Sequence, residues 1–221
     1  MTLIFDLRIY LFIHLFLSMS HISCGLLCPY QPLYEKLDVD RLSKLNATWY
    51  DVFDIPYMQM AIDCWDWHTI RPAEGGFSAN VTMHVAEKPL EDHLYVFVHF
   101  IENRDGTYSL NQEHKKAYAT NTKQAVSHKA TQQTFEGLDN LNEAIFSSKF
   151  FFLTDYENYF IASFCGPDGL GNIVKNRNAH PTAGDILNIW NALSEQGEIP
   201  KLDVEFKKIC VSRHYTANHG L

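Results

Sequence analysis

From Trp49 to about Arg177 the apolar positions recur with a period near two, in short segments broken by turn residues, and hardly any helical period is present. The most β-prone run is Leu94-Tyr95-Val96-Phe97-Val98-His99-Phe100-Ile101, and Asp105-Gly106 after it is a hairpin signal. Before it, Trp49 to Ile55 reads as a first strand ended by Pro56. Asp63 to Ile70 alternates polar and aromatic positions, as a half-buried strand does, and Gly75-Gly76 turns the chain into a third strand, Phe77 to Val85. The stretch from Asn111 to Leu141 is polar and indistinct, and two weaker strands with a long loop are expected there. Pattern returns in a hairpin over Lys149 to Cys165, followed by a wide glycine-rich turn, Gly166 to Gly171, and a strand from Asn172 to Arg177. Many short antiparallel strands suit a sandwich or a barrel, and periodicity does not separate the two.

One helix is predicted, from Thr182 through Ser194, with Thr182 and Asp185 at capping-box spacing and Gly197 as its stop. Ile186, Ile189, Trp190 and Leu193 fall on one stripe, which must lie against the sheet.

The chain has 221 residues and 46% apolar content, enough for one core, and no internal repeat or linker divides it. Met1 to Ser23 differs from the rest: an apolar stretch from Ile9 to Leu17, too short for a comfortable membrane span, precedes small residues at Ser23-Cys24-Gly25. Residues 1–25 are therefore expected to be a secretory signal peptide and 26–221 a single domain, secreted, with no stable membrane span after cleavage. Cys28, Cys64, Cys165 and Cys210 then remain, and four cysteines allow three pairings. Asn46-Ala47-Thr48 and Asn80-Val81-Thr82 are glycosylation sequons. The net charge of −8, with no basic stripe, argues against nucleic acid as a partner.

Three stretches together resemble the lipocalins, and within them the apolipoprotein D branch. Asn46-Ala47-Thr48-Trp49-Tyr50, led in by Cys28-Pro29-Tyr30-Gln31-Pro32, is similar to the family's opening strand, although Ala47 stands where Gly is usual. Thr154-Asp155-Tyr156-Glu157-Asn158-Tyr159 resembles its second signature, and Arg177-Asn178 ahead of Pro181 its third. The resemblance implies an all-β fold: an eight-stranded antiparallel up-and-down barrel with one C-terminal helix on its outer wall. It also implies Arg177 stacked on Trp49 at the closed base, a corner at Thr154, Asp155 and Tyr156, and disulfides Cys28–Cys165 and Cys64–Cys210. The expected function is carriage of a small hydrophobic ligand such as a lipid, fatty acid, retinoid, sterol, carotenoid or tetrapyrrole. A cell-surface receptor or a second copy of the chain are further partners to consider.

With those disulfides, Cys64 and Cys165 must face outward. Strand alternation then turns Trp65, Trp67 and Thr69, and likewise Phe160, Ala162 and Phe164, into the barrel as cavity lining. An eight-stranded barrel has room for one small ligand among its side chains or is filled by them, so a solid aromatic interior is the competing expectation.

Common catalytic signatures are absent: no Gly-rich phosphate loop, no His-Glu-x-x-His and no Gly-x-Ser-x-Gly occurs. No cofactor and no metal site is expected, His84, His93 and His99 lacking a recognised ligand spacing. Asp51, Asp54, Asp63 and Asp66 are expected on solvated faces or strand ends. Two alternatives stand beside the carrier: an enzyme like violaxanthin de-epoxidase, whose lipocalin domain the segment from Tyr159 to Arg177 also resembles, and an extracellular interaction protein with a vestigial cavity, contacting its partner through the loop from Asn121 to Asn142.

Overall fold

The computed structural model describes residues 36–55, 62–85, 93–111, 113, 145–166, 169–195 and 205–206. The leader Met1–Gly25, Cys28, Cys210 and the loop from Asn121 to Asn142 lie outside these.

Eight strands run up and down in chain order: β1 (Thr48–Ile55), β2 (Ile62–Ala73), β3 (Gly76–Val85), β4 (His93–Glu102), β5 (Tyr108–Leu110), β6 (Phe150–Thr154), β7 (Tyr159–Gly166) and β8 (Gly169–Asn176). Each pairs antiparallel with the next, and β1 pairs with both β2 and β8, which closes the sheet into a barrel. The architecture inferred from the resemblance is thus present, and the sandwich is excluded. A short ninth strand, β9 (Glu205–Phe206), adds to β1 at Phe53 and Asp54.

Apart from β5, strand ends were legible to within a residue or three, because Gly and Asp-Gly punctuate them. β5 lies just ahead of the stretch from Asn111 to Leu141, where two weaker strands were expected, and that stretch falls almost wholly outside the described residues. Gly75 has φ +70 in the β2–β3 hairpin, and a Cβ on Gly76 would stand 2.0 Å from the Phe100 carbonyl oxygen. No other residue fits there. The turn after β7 is tighter than expected: β7 runs to Gly166, which pairs with Gly169, so Gly166, Gly169 and Gly171 of the expected wide turn all lie in strands.

Alternation sorts the side chains into two apolar groups. The first fills the barrel, from Trp49 on β1 through Trp65, Trp67, Phe77, Phe100 and Phe152 to Phe160, Phe164 and Ile173. The second lies outside, where Val52, Phe53, Ile55, Tyr159, Ile161 and Val174 meet Ile189 and Leu193 of α2 (Ala183–Glu195). The C-terminal helix therefore covers the outer wall, as expected. Its capping box forms: the Asp185 amide donates to Thr182 Oγ1 at 3.2 Å while the Thr182 amide donates to Asp185 Oδ2 at 2.8 Å.

A helix that the pattern did not predict, α1 (Val39–Leu45), precedes β1. Asp38 caps it by accepting from the Arg41 amide, and Leu42 is buried in the interior group, so α1 sits over one end of the barrel. Its C-cap, Asn46, takes the left-handed conformation (φ 44). Ala47 is not among the positive-φ residues, so Ala in place of the usual Gly carries no strain: the bend is made one residue earlier, by an amino acid that tolerates it.

Candidate functional site

Both the first signature and the corner meet at the covered end. Asp155 Oδ1 accepts from the amides of Glu157 (2.9 Å), Asn158 (2.8 Å) and Tyr159 (3.1 Å), and Oδ2 accepts from the Asn158 amide group at 2.8 Å. Burial works to raise the Asp155 carboxyl, but these donors outweigh it and hold it below the ordinary aspartate value. Thr154 Oγ1 donates to the Tyr159 carbonyl at 2.6 Å and accepts from the Tyr156 amide at 2.9 Å. Tyr156, at φ 64, is thereby aimed at α1: its hydroxyl accepts from the Asp38 amide at 2.8 Å, and the Arg41 guanidinium lies 4.3 Å from its ring centroid. Corner and helix clamp one another.

Inside, five of the six expected lining residues, Trp65, Trp67, Phe160, Ala162 and Phe164, belong to the interior group. Thr69 does not. The β2–β3 register slips between His68 and Arg71, Thr69 takes φ 51, and the extra residue flips the strand's phase so that Ile70 points inward instead. A bulge of this kind has no reliable mark in the sequence.

The Trp49–Arg177 stack is not formed. Trp49 is buried and its ring packs on Phe160 at 5.8 Å, whereas Arg177 is exposed and its guanidinium donates to the Glu157 carbonyl at 3.4 Å. The cation beside an interior tryptophan is Lys175, 1% exposed, its Nζ 5.5 Å from the Trp67 ring. Arg177 lies one residue beyond β8, past the last inward position, while Lys175 shares the inward face with Ile173.

Lys175 belongs to a polar seam that the sequence did not disclose. β1 and β2 pair at Thr48↔His68 and Trp49↔Trp67, and then β1 bulges between Asp51 and Phe53. Beyond that point side chains bridge the strands. The Trp65 amide donates to Asp51 Oδ2 (3.1 Å), the Asp51 amide donates to Asp66 Oδ1 (3.1 Å), and Lys175 Nζ donates to the Trp65 carbonyl (2.7 Å) at 3.9 Å from Asp51 Oδ1. Behind Asp66, His84 Nε2 donates to its Oδ2 at 3.0 Å. Asp51, Asp54 and Asp66 are thus buried, not solvated: Asp51 and Asp66 accept from backbone amides beyond the last β1–β2 pair, and Asp54 lies opposite Ile173 on the inward face. Among the described residues no cluster is arranged to hold a metal ion; the His93 side chain is not described, His84 is bound to Asp66, and His99 Nε2 donates to the Glu74 carbonyl.

Aromatic rings dominate the rest of the interior. Trp67 touches Phe77, Phe100, Phe152 and Phe160 at centroid distances of 5.5 to 6.4 Å, and Phe146, from a helical turn at 145–147, stacks on Trp65 at 5.1 Å. The Trp67 indole Nε1 is buried among them without a hydrogen-bond partner. Tyr108, on the same wall, has its phenol pushed up to about 12, chiefly by burial and then by the charge of Glu102.

Cys64 and Cys165 are each disulfide-bonded, and Cys28 and Cys210 lie outside the described residues. Asn46 and Asn80 are both exposed, Asn80 on the outer face of β3 opposite Phe97.

No protein-family model matches the sequence, and no characterised protein matches it in sequence. Solved structures of lipocalin-family proteins are similar in backbone. The cockroach major allergen Per a 4 aligns at TM-score 0.49 and 13% identity, over 81% of this chain and 92% of that one. Lobster apocrustacyanin A1 aligns at 0.45 and 14%, over 79% and 88%. The siderocalin Ex-FABP, described as functioning through dual ligand specificities, aligns at 0.43 and 12%, over 73% and 92%.

Proposed function

We propose that this protein is a secreted carrier of the lipocalin type, resembling apolipoprotein D, that binds a small hydrophobic ligand inside its barrel and transports it without catalysis. The observation that carries the reading is the lining: a closed barrel, covered at one end by α1, whose inward wall is mainly apolar and aromatic, with Asp51, Asp54 and Lys175 along the β1–β8 pair. Such a wall offers dispersion contact and water exclusion to a flat or elongated apolar molecule. Disulfide-bonded Cys64 and Cys165 support passage through an oxidising compartment, and pairing with Cys210 and Cys28 would pin the tails to the wall. Exposed Asn46 and Asn80 suit glycosylation on that route. Lining roles fall to Trp65, Trp67, Phe160, Ala162 and Phe164.

A second reading, an interaction protein with a vestigial cavity, draws on the same interior. The rings around Trp67 pack on one another, and a barrel filled by its own aromatics would hold no guest. Extraction of the purified protein with organic solvent, followed by mass spectrometry, separates the two. The carrier yields a stoichiometric apolar compound; the filled barrel yields none.

A further inference from the structure

The interior is not uniformly greasy, and its polar atoms constrain the guest. The Trp67 indole is 4% exposed, on the inward face of β2, and its Nε1–H meets no acceptor. A buried donor without a partner carries the full cost of its desolvation, so a guest that supplies an oxygen there gains more than a hydrocarbon of the same shape.

The charge on that wall decides which oxygen. Asp51 pairs with Lys175 across the β1–β8 register, and Asp54 with Ile173, which places both carboxylates on the inward face. Lys175 is the cation facing them among the described residues, held by the Trp65 carbonyl and by Asp51 at 3.9 Å. Among the described residues these two carboxylates face one ammonium, and a carboxylate guest would add a like charge beside them in a low-dielectric space. An uncharged acceptor meets no such penalty.

We infer that the ligand is an apolar molecule bearing an uncharged hydrogen-bond acceptor (a ketone, ester or aldehyde oxygen) that seats on Trp67 Nε1, and that free fatty-acid carboxylates are disfavoured. The inference rests on the carrier reading and narrows it.

Displacement of the neutral dye N-phenyl-1-naphthylamine by dodecan-2-one, dodecane and dodecanoate tests it. Dodecan-2-one is expected to displace the dye at about tenfold lower concentration than dodecane, the worth of one satisfied buried donor, with dodecanoate weaker than the ketone. Trp67→Phe should erase the difference between ketone and alkane, read as the ratio of their two displacement concentrations on the variant itself, whatever the variant's affinity for the dye. Should that variant fail to fold, the indole N–H resonances of the wild-type protein, four in all, give the answer: one moves downfield with the ketone and not with dodecane. Equal displacement by ketone and alkane, tighter binding of dodecanoate, or a preference that survives Trp67→Phe overturns the inference and leaves the carrier intact. Absence of dye binding to the wild-type protein overturns the carrier reading itself.

Discussion

At the scale of single residues, the cation that ties the barrel together is two positions from where the family resemblance places it. Lys175 is buried and bound to the Trp65 carbonyl beside Asp51, and Arg177 is exposed. Lys175→Met should therefore cost about 3 kcal/mol, because Asp51 would be left buried without its counter-charge. Arg177→Ala should stay within about 0.5 kcal/mol of the wild type. Urea unfolding of the two variants checks the assignment, and equal losses would contradict it. Gly76→Ala is expected to cost about 2 kcal/mol, since its Cβ would strike a strand backbone that cannot yield as a flexible side chain does. The inward tryptophans Trp65 and Trp67 were legible from alternation once the disulfides implied by the resemblance had set the strand's phase. Thr69, Asp51 and Asp54 were misplaced because each lies beside a bulge, and one extra residue inverts what alternation implies. Asp66 keeps its phase and is buried by its contacts with the Asp51 amide and His84.

Elements held together by local chemistry were the most readable. Thr182 and Asp185 form the reciprocal cap that their spacing predicts, and Thr182→Ala should lower stability by about 1 kcal/mol in thermal or urea unfolding. α1 was missed for the opposite reason. Seven residues, VDRLSKL, are too few to form a stable helix alone, and its support comes from Tyr156, more than a hundred positions away. The corner that supplies this support is expected to be sensitive to acid. The Asp155 carboxyl is held below 3.8, so its contribution is complete above that pH and disappears as pH falls through its lower folded value. Asp155→Asn should cost about 1 kcal/mol at neutral pH and progressively less in acid, in urea unfolding carried down to about pH 2. A difference that does not change with pH would show that the carboxylate's charge is irrelevant to the corner.

For the molecule as a whole, barrel closure followed from strand count and turn spacing only once the resemblance had chosen between barrel and sandwich, because both bury alternate residues of short strands. The seam between β1 and β2 had no sequence signal, since it depends on β8 bringing Lys175 beside a bulge in β1. Alkaline stability is also a property of the assembled barrel. Tyr108 inside and Tyr159 under α2 are both pushed up to about 12, mainly by burial, so the neutral phenols stabilise the fold below pH 10 and that contribution is lost as pH rises above it. Phenolate absorbance during an alkaline titration should show these two ionising last. The central claim is that the aromatic interior admits an apolar guest, and the most direct measurement is tryptophan fluorescence during titration with N-phenyl-1-naphthylamine. Trp49, Trp65 and Trp67 all face the interior, so a dye seated there should quench their emission by energy transfer, saturably and at one equivalent. Unchanged tryptophan emission up to the solubility limit of the dye would mean that the rings already fill the barrel, and the protein would not be a carrier.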